Sequence, residues 1–126
     1  MTAYRLYCGI DIAALSASVA IRKSLDDELR LFDIEQTPKG FLKLHNRLKR
    51  YSATPAETLI VMEATGTYWM NLALYLSRQG YAVSVVNPLT AYHFAQSLLK
   101  RDKNDPMDAQ TLLEMGVLIH ARLSRD

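Results

Sequence analysis

Cysteine is almost missing from this sequence. Cys8 stands alone among 126 residues, which excludes an intramolecular disulfide framework and a zinc site built on thiolates. Long hydrophobic runs are missing too, since no apolar stretch approaches the roughly 18 residues that cross a bilayer. The N-terminus lacks the apolar segment and small-residue cleavage pattern of a secretory signal, so the expected location is the cytoplasm. There is no low-complexity tract and no internal repeat. A strong excess of one charge is also lacking: 15 Lys and Arg face 13 Asp and Glu, a net charge of +2, too little by itself to imply a nucleic-acid partner. The three histidines, His45, His93 and His120, show no metal-ligand spacing and read as surface or packing residues. No serine sits in a nucleophile turn beside a histidine and an acid.

What is present is an ordinary globular composition, 49% hydrophobic and 22% charged, in a length that fits one domain with a real core. Residues 4–10 form an apolar, β-prone run and read as a buried strand. Residues 16–23 alternate, with Ala17, Val19 and Ile21 on one face. Residues 29–35 make a third, more polar strand after an acidic turn, expected at a sheet edge. Thr37-Pro38 opens a helix whose buried stripe is Phe41, Leu44 and Leu48. Residues 58–62 are a short apolar strand, of the kind covered on both faces. A helix over 67–79, a strand over 81–86, a helix over 91–99 and a last helix starting at Asp105-Pro106 complete the order βββ-α-β-α-β-α-α. Three meandering strands followed by βαβ crossovers predict an α/β fold: a ribonuclease H-like, five-stranded mixed sheet, three antiparallel strands then two parallel, flanked by helices.

Carboxylates fall at telling places in this layout. Asp11 follows the apolar run of the first strand, and Glu63 follows Leu59-Ile60-Val61-Met62 of the fourth. If those strands are parallel neighbours, both acids emerge at one end of the sheet, where sites gather in open α/β folds. Asp105 and Asp108, three apart, come close together at a helix start. Acids gathered there repel unless a cation lies between them. Mg²⁺ or Mn²⁺ suits such oxygen donors, and two such ions would stabilise both the attacking and the leaving oxygen of an in-line phosphate displacement. Plainer readings stand beside this one. Asp105-Pro106-Met107-Asp108 is also an ordinary helix start, with a capping aspartate and an acid favoured by the helix dipole. Asp11 also reads as a turn residue. Glu63 is harder to set aside, because an acid closing a buried strand is rarely left without a partner.

Basic residues are grouped as well. Lys39, Lys43, His45, Arg47, Lys49 and Arg50 crowd one segment, and Lys100, Arg101 and Lys103 another. Either group can meet phosphates or form a solvated helix face. Lys43, Arg47, Arg50, Lys100, Arg101 and Lys103 are the candidate nucleic-acid contacts. The Thr65-Gly66-Thr67 turn after Glu63 is expected to give flexibility and a helix cap, with Tyr68 and Trp69 packing on the core or a helix face.

Five short motifs in order carry a resemblance. They are Gly9-Ile10-Asp11-Ile12-Ala13, Thr37-Pro38-Lys39-Gly40-Phe41, Met62-Glu63-Ala64-Thr65-Gly66-Thr67-Tyr68, Val83-Ser84-Val85-Val86-Asn87-Pro88 and Lys103-Asn104-Asp105-Pro106-Met107-Asp108-Ala109. The series closely resembles the N-terminal, RuvC-like catalytic domain of the DEDD-type insertion-sequence transposases, the Piv-related group. That resemblance implies a divalent-metal site of Asp11, Glu63, Asp105 and Asp108, and a part in DNA strand cleavage and exchange. It also implies DNA as partner, a structured guide RNA in some full-length relatives, and homo-oligomers with composite active sites. Asn104 and Pro106 depart from the Thr or Ser and the basic residue common in relatives. The family's second domain, with its nucleophilic serine, is not found within residues 1–126, so the expectation is a single RuvC-like domain that does not complete strand transfer alone.

Two rival readings remain at the level of sequence. One is a non-catalytic nucleic-acid-binding or dimerisation module of a recombinase, resting on the basic clusters. The other is a piece of an actin-like or sugar-kinase-like nucleotide-binding domain. Residues 12–18 contain no glycine for the phosphate turn that such domains place after the first aspartate.

Overall fold

The computed structural model describes residues 4–51, 53–99, 101–102 and 107–123, the last three by backbone only. The chain runs β1 (Leu6–Ile12), β2 (Ser16–Arg22), β3 (Arg30–Glu35), α1 (Pro38–Leu48), a 3₁₀ turn (Pro55–Glu57), β4 (Thr58–Glu63), α2 (Met70–Arg78), β5 (Ala82–Val86), α3 (Pro88–Leu98) and α4 (Ala109–Leu123). The strands form one sheet in the order β3-β2-β1-β4-β5. Pairing is antiparallel across β3-β2-β1 and parallel across β1-β4-β5. This is the ribonuclease H-like layout the sequence predicts, with β3 at an edge.

Strand alternation decides what each face of the sheet meets. On one face Leu6, Cys8, Ile10, Val19, Ile21, Ile60 and Met62 pack against Phe41, Leu44 and Leu48 of α1 and Leu72 and Leu76 of α2. Each fully buried leucine or isoleucine there contributes about 1.5–3 kcal/mol. On the other face α4 crosses the centre: Ala109 and Leu113 pack on Tyr7 and Ala20, and Leu112 and Met115 pack on Val61. Two covered faces explain why β1 is buried at five successive residues instead of alternating.

Direction matters as much as order. β3 is antiparallel to β2, and β2 to β1, so β3 runs the same way as β1 and β4. All three therefore end at one edge of the sheet, the edge that carries Asp11 and Glu63. α1 starts there. Thr37 caps it, its hydroxyl accepting from the Gly40 amide at 3.0 Å. A Cβ on Gly40 would stand 1.9 Å from the Glu35 carbonyl oxygen, so only glycine lets the helix begin that tightly against the strand.

Element boundaries differ from the sequence reading by two residues or more in four elements. β1 continues to Ile12, because its ladder with β2 runs on to Ile12 opposite Ala17; Asp11 thus lies inside a strand. α2 begins at Met70, without a side-chain cap, after a turn over 66–69; the cap expected from the Thr65-Gly66-Thr67 turn does not form. α3 begins earlier than expected, at Pro88, since the Asn87 side chain accepts from the Leu89 amide at 2.8 Å and caps it. α4 begins at Ala109; the expected start at Asp105-Pro106 lies outside the described residues. There Asp108 does the capping, accepting from the Thr111 amide at 2.8 Å. Among the described residues no helix is long and apolar enough to cross a membrane.

Candidate functional site

The site is built from three elements. β1 and β4 pair in register as Ile10 opposite Met62, so Asp11 and Glu63, the next residues, are neighbours across strands roughly 5 Å apart. Ile10 and Met62 face the α1–α2 core. Alternation therefore turns Asp11 and Glu63 to the face that α4 covers. α4 supplies the third acid. Its first turn lies so close over β1 that a Cβ on Gly9 would stand 2.0 Å from the Ala109 carbonyl oxygen. Asp108 immediately precedes that residue, and so arrives beside Asp11, two residues along from Gly9.

The electrostatics register this convergence. The Asp11 carboxyl is raised above its ordinary value, first by partial burial, then by the negative charge of Glu63, then by that of Asp108. Glu63 is half-buried and accepts from the Thr65 hydroxyl at 2.8 Å. Asp108 is also half-buried, and its Oδ1 accepts both the Thr111 amide and the Thr111 hydroxyl, each at 2.8 Å. Among the described residues no three His, Cys, Asp or Glu side chains close into a cage able to hold a metal ion by themselves. The three acids share one neighbourhood in an open arrangement. Asp105 lies outside the described residues.

A cleft of about 280 Å³ opens beside these acids, lined by Asp11, Ser18, Asp33, Asp108 and Gln110 among others. Its floor follows from register: Asp11 pairs with Ser18, and Ser18 pairs with Asp33, which sets the three in a row across β1, β2 and β3.

The basic residues expected to meet nucleic acid fall in two places. Lys43 and Arg47 lie on α1, beside β3: the Lys43 ammonium donates to the Asp33 carbonyl at 3.1 Å, and the Arg47 guanidinium stacks 4.4 Å from the Phe32 ring centre. Arg50 is exposed just past the helix. Arg101, half-buried, donates to the Thr111 hydroxyl at 2.7 Å. Lys100 and Lys103 lie outside the described residues. Trp69 packs against the core as expected, but Tyr68 is 55% exposed, because the turn over 66–69 carries it off the helix face.

Sequence reading missed Thr111, Gly9 and the cleft residues Ser18, Asp33 and Gln110. A signal existed for Gly9, since glycine inside an apolar strand marks a close backbone approach. None existed for Thr111, which looks like any helical threonine until Arg101 is brought to it.

Comparison with known proteins adds the following. The family described as DEDD_Tnp_IS110 (Transposase) matches residues 8–125. The pilin gene-inverting protein of Moraxella bovis is 32% identical over 112 residues, covering 89% of this chain and 34% of that protein. Its counterpart in Moraxella lacunata is 31% identical over the same length. The chain thus spans about a third of these curated relatives (34%). Among solved structures, T. thermophilus RuvC in complex with Holliday junction substrate is similar with a TM-score of 0.58 at 13% identity, covering 95% of this chain and 96% of that one. The fowlpox virus Holliday junction resolvase follows with a TM-score of 0.51 at 14% identity, covering 93% and 99%. At such identities the two resolvases establish the RuvC-like, ribonuclease H-like fold.

Proposed function

This chain belongs to the DEDD transposase family, and on that premise we propose that it forms the divalent-metal-dependent domain that cleaves and exchanges DNA strands in insertion-sequence transposition. The observation that carries the proposal is the meeting of Asp11, Glu63 and Asp108, from β1, β4 and the start of α4, with the Asp11 carboxyl pushed up first by burial and then by the charges of the other two. Three acids brought together at a cost in mutual repulsion need a reason, and a hard cation supplies one.

The donors present suit Mg²⁺ or Mn²⁺. Mg²⁺ keeps several waters and binds proteins through one or two carboxylates plus substrate phosphates, so an open set of acids fits it better than a closed cage. Asp11, Glu63 and Asp108 would hold it, joined by Asp105 on the strength of the family motif. Once bound, the ion would polarise a scissile phosphate and stabilise the oxygens of an in-line displacement. Around it the chain's own residues set the frame. The sheet fixes Asp11 beside Glu63, α4 sets Asp108 beside Asp11, and Ser18 and Asp33 floor the cleft that opens next to them.

DNA is the proposed substrate, and the surface offered to its backbone is α1. Between Glu35 and Glu57 the sequence has no acid and five Lys or Arg. Among the described residues none of those five has a carboxylate partner; the ion pairs are Arg5–Glu57 and Arg30–Glu28. Lys39 and Lys43 sit at the end of the sheet that bears the carboxylates, where phosphates crossing toward the cleft would meet them. Lys100 and Lys103 belong to the same proposal, as do a guide RNA and a homo-oligomer, which rest on the family resemblance; Arg101, half-buried with its guanidinium on the Thr111 hydroxyl, is committed to that contact instead. Since the chain spans 34% of its curated relatives, complete strand exchange is proposed for a longer protein of this type, with residues 1–126 supplying the carboxylate site as one RuvC-like domain.

Titration of Mn²⁺ into the chain, followed by water-proton relaxation, tests the proposal. The parent should bind, and Asp11→Ala with Glu63→Ala should reduce affinity at least about tenfold. Equal binding by parent and double variant would overturn it. Salt-sensitive DNA binding indifferent to EDTA and to these substitutions would favour a non-catalytic nucleic-acid module.

A further inference from the structure

Asp108 is held from behind. Thr111 is one of two polar residues fully buried among the described residues, at 0% exposure, and a buried hydroxyl must place both its proton and a lone pair. The proton goes to Asp108 Oδ1 at 2.8 Å, and a lone pair accepts from Arg101 Nη2 at 2.7 Å. The Thr111 amide reaches the same Oδ1, also at 2.8 Å. Arg101 is itself anchored, its amide donating to the Ala95 carbonyl at 3.1 Å near the end of α3.

An N-cap by itself explains only part of this. Capping needs the aspartate oxygen and the backbone amide; it needs neither the threonine hydroxyl nor an arginine from ten residues earlier. The additional bonds have two physical effects. Arg101 can only donate and has no lone pair to accept with, so it occupies a lone pair of the hydroxyl and fixes the rotor with its hydrogen aimed at Asp108. With two donors on Oδ1, the carboxylate is locked in orientation and Oδ2 stays without a donor among the described residues. A guanidinium one hydrogen-bonded link away also offsets part of the negative charge gathered at the site.

We infer that Thr111 and Arg101 are positioning residues that orient Asp108 toward a divalent cation, Arg101 acting through the Thr111 hydroxyl. The inference rests on the metal-site reading above. Partners of this kind behind a ligating carboxylate govern metal affinity, and losing one costs about 10- to 100-fold.

The experiment is Mn²⁺ titration of the 126-residue chain by water-proton relaxation, with thermal unfolding in EDTA run in parallel. Thr111→Val keeps the shape and removes the hydroxyl; Mn²⁺ affinity should fall about tenfold or more. Thr111→Ser should restore it to within a few-fold, and Arg101→Met should lower it by about tenfold. Parent affinity in Thr111→Val overturns the inference, even if unfolding shifts, because a merely structural threonine would move stability alone. Equal weakness in Thr111→Val and Thr111→Ser overturns it too. Should Thr111→Val fail to fold, parent affinity in Arg101→Met suffices to overturn it. The metal-site reading fails separately, if the parent takes no Mn²⁺ or if Asp11→Ala binds like the parent.

Discussion

His45, read from the sequence as a surface or packing residue, carries a measurable chemistry through Tyr81. The His45 Nδ1 lies 2.7 Å from the Tyr81 hydroxyl. Burial above all pushes the Tyr81 phenol up to about 12, so it stays protonated and can donate to a neutral imidazole. Protonation of His45 would put a hydrogen on that nitrogen and reverse the bond. Burial, then Lys49, lower the His45 pKa below its ordinary 6.5. The unfolded chain therefore binds a proton at His45 before the folded one does, and stability rises with pH across that interval. Its contribution is whole above 6.5 and is lost as pH falls from there through the folded pKa. His45→Gln should flatten the melting-temperature profile on the acid side of 6.5, while losing about 1 kcal/mol near neutrality with the hydrogen bond. An unchanged slope would mean that His45 does not sense folding.

At the scale of elements, the site depends on how closely α4 lies on β1. Gly9 permits this. A methyl there would meet the Ala109 carbonyl oxygen at 2.0 Å and the Leu113 amide nitrogen at 2.5 Å, and backbone cannot yield as a side-chain tip can. Gly9→Ala should lift the first turn of α4, costing about 1–3 kcal/mol or more, and should carry Asp108 away from Asp11. Mn²⁺ affinity ought then to fall even in the fraction that stays folded, as read by relaxation below the unfolding temperature. Retained affinity at reduced stability would show that α4 settles without displacing the acid.

For the whole molecule, the relevant quantity is charge placement, since a net charge of +2 says little. Along α1 lie basic groups without a carboxylate partner among the described residues, whereas the cleft floor carries Asp11 and Asp33. A polyanion should touch the first surface and reach the second only where a cation bridges it. Replacing the exposed Lys39, Lys43 and Arg50 by glutamine should reduce the dependence of DNA affinity on log salt by about one per charge removed. Stability should change by only about 0.5 kcal/mol or less. A salt slope identical to the parent's would place the DNA elsewhere.

Sequence by itself determined a good part of this. The shared face of Ala17, Val19 and Ile21 within residues 16–23 and the stripe Phe41, Leu44, Leu48 follow from local periodicity, and each appears in the fold as read. That Asp11 and Glu63 fall near the ends of β1 and β4 was legible for the same reason, although β1 runs one residue past Asp11, and the five ordered motifs pointed to the family that matches residues 8–125. The start of α4 was not legible, because Asp105-Pro106 and Asp108 both carry good capping chemistry and local preference cannot choose between them. Tertiary structure chose Asp108, by seating Ala109 over Gly9, a contact between residues 100 apart in sequence. It also brought Arg101 and Asp108 to the two sides of the Thr111 hydroxyl, which acquires a direction only when folding delivers both of its partners.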